Sequence, residues 1–323
     1  MLLPLFPLPS RPTELIQFRQ PNIADAMRFN SITPEEQEQQ TTAYLKALLA
    51  EPAKYDPLTW TAQDRITALW WIFTGSRETP IETFTYTCKH CGKEHYYDCD
   101  MNALAEDIQV LEVEPFIDDI EVSVEGVPYQ WRIVPLDGWA MEMLEMRRAA
   151  LPPEDDAEFK EAIVDLRFWE FAYQCELYND VSGTREEQAE RRYETIKRMA
   201  IDTEFMKLAA HIRLAHEKLE HGLPCYIDKG EMRLRLPPHK CPNQDTKEST
   251  EGAYTRLWVR IPVCGCPFGL PTSFHRWGLK SYQTLVSNLV LYGGIPIQDA
   301  ERLTESYAFF LLEKLEEKLK PKR

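Results

Sequence analysis

The segment Cys88-Lys-His-Cys91-Gly92 constrains the fold of this 323-residue chain more than any other feature. Two thiolates three positions apart on a tight turn can occupy adjacent corners of a tetrahedron, and the following glycine allows the backbone angles that such a turn requires. Residues 81–87 before it and 95–97 after it are rich in β-branched and aromatic side chains. That composition is typical of strands. The segment therefore predicts a strand, a metal-binding knuckle and a returning strand.

A structural zinc site needs four ligands, and the sequence leaves open which residues join Cys88 and Cys91. A local set would add His95 and Cys99. On one strand these two residues would share a face but lie about 13 Å apart, at about 3.3 Å per residue. One ion cannot hold both unless the strand breaks, so the spacing argues against local closure.

A distant set consists of Cys225, Cys241, Cys264 and Cys266, and two arrangements of it remain open. In the first, which we favour, Cys264 and Cys266 complete the site of Cys88 and Cys91 as a split zinc ribbon. In the second, the four distant cysteines close a site of their own, with zinc or alternatively an iron–sulfur cluster. Cys88 and Cys91 would then recruit a local residue or stand as a decayed half-site. All six cysteines are therefore predicted metal ligands: Cys88, Cys91, Cys225, Cys241, Cys264 and Cys266. Cys175 stands alone and is predicted to lie in the core.

The alternation of helical and strand-like segments predicts an α+β fold in which helices alternate with small antiparallel β-hairpins and a zinc-ribbon-like knuckle. Proline-rich residues 1–13 predict an extended arm that lies on a partner or on its own domain. Residues 14–221 predict a mainly helical body with an inserted cysteine hairpin (81–100) and a small sheet (108–134). Residues 222–323 predict a cysteine-bearing β and loop region followed by C-terminal helices.

Local signals predict the ends of individual elements. Thr33 and Thr61 are candidate N-caps, and Gly75 is a candidate helix end. Helices are predicted over residues 33–49, 61–75, 136–151, most of 159–221, and 298–318. Strands are predicted over residues 108–113, 120–124 and 129–134.

Charge bears on the class of partner. The chain has 37 basic and 52 acidic residues, a net charge of −15. Such a surface repels phosphate backbones, and Lys89 and Lys93 beside the knuckle are offset by nearby acids such as Glu94 and Asp98. No apolar run approaches the roughly 20 residues of a membrane span. We therefore expect protein partners, with neither nucleic acid nor membrane.

Signals for catalysis are weak. His216 and His221 lie five positions apart, whereas the zinc-protease motif needs histidines four apart on one helix face. We expect them to be solvated polar residues on an amphipathic helix. The sequence contains neither a Gly-x-Ser-x-Gly elbow nor a phosphate-binding Gly-x4-Gly-Lys-Ser/Thr loop. The chain is predicted to be non-enzymatic, with no catalytic residues.

Three segments, at residues 29–37, 58–100 and 295–317, resemble the baseplate hub assembly proteins of T-even-like tailed phages. They read FNSITPEEQ, LTWTAQDRITALWWIFTGSRETPIETFTYTCKHCGKEHYYDCD and IPIQDAERLTESYAFFLLEKLEE. The first segment matches the start of a helix in the family. The second matches a helix that leads into a strand, a cysteine knuckle and a returning strand, and the third matches the final helix. The three occur in the same order as in the family. The distal Cys-Gly-Cys departs from the family's usual Cys-x2-Cys.

The resemblance implies a structural or assembly factor of a contractile-tail baseplate, with zinc stabilising the fold. Its expected partners are hub, spike or tape-measure proteins in a hetero-oligomeric assembly. Its expected place is the host cytoplasm during assembly, or the virion tail. The alternatives are a zinc-ribbon nucleic-acid-binding protein and, third, a metallohydrolase.

Overall fold

The computed structural model describes residues 1–29, 35–228, 231–243, 254–255, 257–259 and 281–319. The α-helices of these residues are α1 (Ile23–Phe29), α2 (Gln37–Leu48), α3 (Ala62–Gly75), α4 (Gly138–Ala149), α5 (Phe159–Tyr173), α6 (Arg185–Lys197), α7 (Met206–Lys218), α8 (Tyr282–Gly293), α9 (Ile297–Glu301) and α10 (Glu305–Leu319). The strands are β1 (Phe6–Leu8), β2 (Arg11–Ile16), β3 (Ile81–Thr87), β4 (Glu94–Asp100), β5 (Ile117–Val124), β6 (Val127–Ile133), β7 (Cys175–Leu177), β8 (Cys225–Asp228), β9 (Glu231–Arg235), β10 (His239–Lys240), β11 (Tyr254–Thr255) and β12 (Trp258–Val259).

The strands form small antiparallel sheets of two or three members, which confirms the predicted α+β class. The pairs β1–β2, β3–β4 and β10–β11 stand as two-stranded sheets. The three-stranded sheets have the orders β5-β6-β7 and β12-β9-β8. No helix of the described residues is long and apolar enough to cross a membrane.

Capping side chains fix where α3 begins. Thr61 Oγ1 accepts the N–H of Asp64 at 3.0 Å, and the Asp64 carboxylate accepts the N–H of Thr61 at 3.2 Å. This reciprocal capping box satisfies two backbone donors that the helix cannot pair internally. The predicted cap at Thr61 and the predicted end at Gly75 are both confirmed.

Helix α2 receives its cap from another helix. It was predicted to begin at Thr33, which lies outside the described residues, and the structure begins it at Gln37. The flanking residue provides no side-chain cap. Instead, the buried carboxylate of Glu145 in α4 accepts the N–H groups of Glu38 at 2.8 Å and Gln39 at 3.3 Å. A tertiary contact therefore replaces the local capping signal that the sequence was expected to supply.

The N-terminal segment is part of the main core rather than a simple extended arm. It turns at residues 9–10, so that β1 and β2 pair as a hairpin. Leu3, Phe6 and Leu8 are buried in the main core, which also contains Trp60 and Trp131. The prolines keep the chain extended on either side of the turn, and the leucines and phenylalanine between them supply the apolar surface that docks it.

Three other expectations were wrong. Residues 108–113 form only one isolated bridge, between Gln109 and Gly222, after a 3-10 turn at Met101–Asp107. The short strand β7 was missed because its three residues follow directly on α5. The final helix is divided into α9 and α10, since the chain between them pairs with the segment before α1 through the N–H of Ile23 and the carbonyl of Leu303, at 2.9 Å.

A second, smaller apolar cluster forms where α1 meets the C-terminal helices. It buries Ile23 of α1 with Tyr282, Leu285 and Leu289 of α8 and Ala308 of α10. The main core itself continues past residue 222, because Leu234 and Leu236 around β9 are buried in it. The predicted break at residue 222 therefore runs through a shared core.

Candidate metal centre

The turn between β3 and β4 has the predicted knuckle geometry. The N–H of Cys88 donates to the carbonyl of Lys93 at 2.9 Å, and the N–H of Gly92 donates to the carbonyl of Cys88 at 2.9 Å. Gly92 has φ of +68°, a left-handed conformation that favours glycine. The tight turn leaves both Cys88 and Cys91 close to one point at the tip of the hairpin.

A second hairpin brings a third thiol to the same point. Cys241 directly follows β10, whose Lys240 pairs with Tyr254 of β11. The Nε2 atom of His90 lies 3.2 Å from the carbonyl oxygen of Tyr254, which ties the knuckle to β11. The third thiol therefore comes from a region far away in sequence, held by the β10–β11 hairpin.

The donor atoms of Cys88, Cys91, His95 and Cys241 all lie within 4.8 Å of one another. The Sγ of Cys91 is 3.0 Å from Nε2 of His95. Donors around one tetrahedral zinc ion lie roughly 3.5–3.8 Å apart, given the usual metal–sulfur and metal–nitrogen distances. This Cys3His group can bind a metal ion with little rearrangement.

Local hydrogen bonds favour the thiolate at the knuckle. The backbone N–H groups of Cys91 and then His90 donate toward Cys88, and they lower its pKa to about 6 although burial opposes them. By contrast, burial raises the pKa of Cys175 and of Cys225 to about 12. Burial also raises the pKa of Cys241. Since a thiolate and not a thiol binds metal, the knuckle turn prepares Cys88 for coordination, whereas Cys241 would lose its proton as the ion binds.

The predicted ligands divide into three groups. Cys88, Cys91 and Cys241 are brought together. Cys225 lies apart from them on β8, opposite Leu234, and packs against the main core. Cys264 and Cys266 lie outside the described residues.

His95 is the ligand that the sequence argument set aside. The local ligand set pairs His95 with Cys99, and β4 runs unbroken through both. The structure separates the pair: His95 faces the knuckle from the start of β4, whereas Cys99 is buried in the main core. The spacing of Cys91 and His95, taken without Cys99, was the available signal.

Aromatic rings flank the metal-binding group on the inner face of the β3–β4 hairpin. The ring of Tyr97 stacks on His239 with centroids 4.4 Å apart, and Tyr86 meets His239 edge-on at 5.6 Å. Tyr86 is buried with Cys88 and Cys241 in a small cluster of its own. These rings shield one side of the group from water, which strengthens electrostatic interactions there.

His221 was expected to be solvated, and this was wrong. It is fully buried, because α7 ends at Lys218 and the chain then turns inward. Its Nδ1 lies 2.6 Å from the carbonyl oxygen of Leu219 and must donate there, and its Nε2 shares a hydrogen bond of 2.6 Å with Thr61 Oγ1. The imidazole therefore joins the turn after α7 to the N-cap of α3 and serves the fold.

Comparison with protein-family models, with curated proteins and with solved structures found no match.

Proposed function

We propose that this chain is a non-enzymatic structural or assembly protein of a phage baseplate hub, stabilised by one zinc ion at Cys88, Cys91, His95 and Cys241. The observation that carries the metal part is the convergence of these four donors from two distant parts of the chain. Three thiolates and one imidazole form a donor set that suits zinc, and soft sulfur ligands disfavour calcium or magnesium.

The donor count supports a structural role for the metal. Four protein ligands close a tetrahedral site and leave no position for a substrate or an activated water, whereas catalytic zinc sites keep one position open. Among the residues that the structure describes, the knuckle also has little apolar surface to hold it, since its own cluster buries Tyr86, Cys88 and Cys241. Metal coordination would then contribute folding free energy that hydrophobic burial does not supply there.

The baseplate assignment is supported by the resemblance of residues 58–100 and 295–317 described above. The first segment contains three of the four donors, Cys88, Cys91 and His95. The acidic balance of the chain, at −15, favours protein over nucleic-acid partners. The zinc stabilises the fold in this proposal, and protein surfaces carry the function.

The assignment is tested by cross-linking in phage-infected cells. Tagged protein should cross-link to hub, spike or tape-measure proteins of the same phage, in assembly intermediates or in finished tails. Failure to find it in either would contradict the assignment. Cys241→Ser and Cys225→Ser variants are cross-linked in parallel, and only the first removes a zinc ligand. A difference in cross-linking between the two then reports how far the partner contacts depend on the metal. Tight DNA binding that weakens steeply with salt would instead favour the zinc-ribbon alternative.

A further inference from the structure

An open groove of about 980 Å3 lies between the start of β6, the turn after β7 and helix α6. It lies apart from the metal centre, and two of its lining residues, Tyr129 and Leu177, pack against the main core. Pockets that bind small ligands commonly have volumes of about 300–1,000 Å3. We call it the α6 groove, and its floor and wall have different chemistry.

The floor of the α6 groove is apolar and exposed. Val127 is 57% exposed and Tyr178 is 53% exposed, and they lie with Pro128, Tyr129 and Leu177 along the same cleft. Single exposed apolar side chains are common on protein surfaces. Here several lie together in one concave site, and binding sites are typically concave with a largely apolar lining.

The wall of the groove is formed by α6 and carries carboxylates. Glu187, Glu190 and Glu194 lie three and four positions apart, so they follow one face of the helix beside the floor. The three are exposed. The Glu190 carboxylate has no hydrogen-bond or ion-pair partner among the described residues, and Glu194 has only a long, exposed contact with Lys197, at 3.9 Å.

The cations of the groove are already engaged. The guanidinium of Arg191 contacts both carboxylate oxygens of Asp180 at 2.6–3.0 Å. Arg198 pairs with Glu125 at 3.4 Å. The lining therefore has four carboxylates, two arginines and a net charge of −2, and its accessible charge is negative.

We propose that the α6 groove binds an extended segment of a partner protein in which lysine or arginine alternates with apolar side chains. Successive side chains of an extended chain point to opposite sides. The apolar set can therefore cover Val127 and Tyr178 while the basic set reaches Glu190 and Glu194. The negative wall repels phosphate, so it disfavours a nucleic acid in the same place. This interaction does not depend on the bound metal.

The proposal is tested with three labelled nine-residue peptides by fluorescence anisotropy on the full chain. One alternates lysine with leucine, one glutamate with leucine, and one lysine with serine. The lysine–leucine peptide should bind at least about tenfold more tightly than either of the others, a difference of about 1.4 kcal/mol. If the lysine–serine peptide bound equally tightly, the binding would be non-specific charge attraction and the proposal would be overturned. Absence of binding of any peptide at about millimolar concentration would also overturn it.

Variants locate the binding site. A double variant with Glu190→Lys and Glu194→Lys should weaken the lysine–leucine peptide about tenfold or more, and Val127→Ser should weaken it by removing part of the floor. The matched control carries Glu112→Lys and Glu161→Lys, which make the same change in net charge at exposed positions outside the groove. Equal loss in the control would contradict binding in the α6 groove. Zinc content should be unchanged in all of these variants, so failure here is distinguishable from failure of the metal site.

Discussion

In the main core, side chains as large as Trp60 and Trp131 are completely buried, whereas the cluster at the tip of the β3–β4 hairpin buries, among the described residues, Tyr86 and Cys88 of the hairpin together with Cys241. Burial of a large apolar side chain is worth about 1.5–3 kcal/mol, so the main core can be stable through burial alone. In the part of the chain that the structure describes, the knuckle has no comparable apolar cluster. The difference suggests that hydrophobic burial holds the body together and metal coordination holds the knuckle to β10 and β11.

Replacing a metal ligand should have the largest local effect. Structural zinc contributes about 10–16 kcal/mol in small zinc-finger peptides, so Cys241→Ser should lose most of the bound zinc and release the knuckle from the β10–β11 hairpin. Cys225→Ser is the matched control, since Cys225 packs against the main core away from the group. The checks are metal content and hydrogen exchange of residues 86–97. Equal zinc loss in both variants would contradict the assignment of Cys241, and not Cys225, as a metal ligand.

Truncation in the main core should lower global stability while the knuckle keeps its metal. Trp131→Ala should cost about 3–5 kcal/mol, because it leaves a cavity among fully buried neighbours. Tyr96→Ala, at a side chain that is 68% exposed on the outer face of β4, should cost less than about 0.5 kcal/mol. Chemical denaturation measures the cost, and zinc content of the folded fraction should be unchanged in both. Loss of zinc in folded Trp131→Ala would show that the two regions are not independent.

The buried imidazole of His221 offers a smaller test within the main core. His221→Ala removes the side-chain partner of the Leu219 carbonyl and one of the two partners of Thr61 Oγ1, which should cost about 1–3 kcal/mol. His211→Ala, on the half-buried side of α7, should cost less. Thermal unfolding of the two variants gives the comparison. A His221→Ala protein as stable as His211→Ala would contradict a structural role for this hydrogen-bond network.

The pH dependence of stability should report on the α2–α4 contact. Burial, partly offset by the N–H of Glu38, raises the pKa of Glu145 from 4.5 to about 7. The folded protein therefore keeps this proton up to about pH 7, whereas the unfolded chain releases it near 4.5. Stability should fall as pH rises between these values, by on the order of 1–3 kcal/mol, and then level off.

The matched variants for this effect are Glu145→Gln and Glu112→Gln. Glu145→Gln keeps a carbonyl that can accept the N–H of Glu38, so the contact between α2 and α4 can remain. Because the amide does not titrate, the variant should have a smaller slope of stability against pH. Some slope should remain, because burial also raises the pKa of Glu82 to about 7. Glu112→Gln, in an exposed loop, should leave the slope as it is in the unmodified chain. An identical slope in the Glu145→Gln protein would mean that this carboxyl group does not titrate as described.

The sequence was sufficient where the signal was local and insufficient where it depended on tertiary contacts. The N-cap at Thr61 and the tight turn from Cys88 to Gly92 involve residues close in sequence, and both were predicted correctly. Cys241 reaches the knuckle only because of how β10 and β11 dock, which no local pattern encodes. For the same reason, the sequence could not predict that Glu145 of α4 caps the start of α2.

His95 and His221 show a second kind of limit. At each position the sequence shows a histidine, but the surroundings that we predicted for its side chain were wrong. His95 and Cys99 lie too far apart on one strand to bind the same ion, but this distance excludes only one of them as a ligand. Rejecting both residues was therefore wrong for His95. His221 was assigned to the exposed face of a helix that in fact ends before it.

X-ray absorption at the zinc edge, combined with metal analysis of protein purified without chelators, tests the central claim most directly. The Cys3His group predicts about one zinc ion per chain, with about three sulfur ligands near 2.3 Å and about one nitrogen ligand near 2.0–2.1 Å. Four sulfur ligands without nitrogen would contradict the role of His95 and point instead to Cys264 or Cys266. The absence of zinc would contradict the proposal that metal coordination holds the knuckle in place.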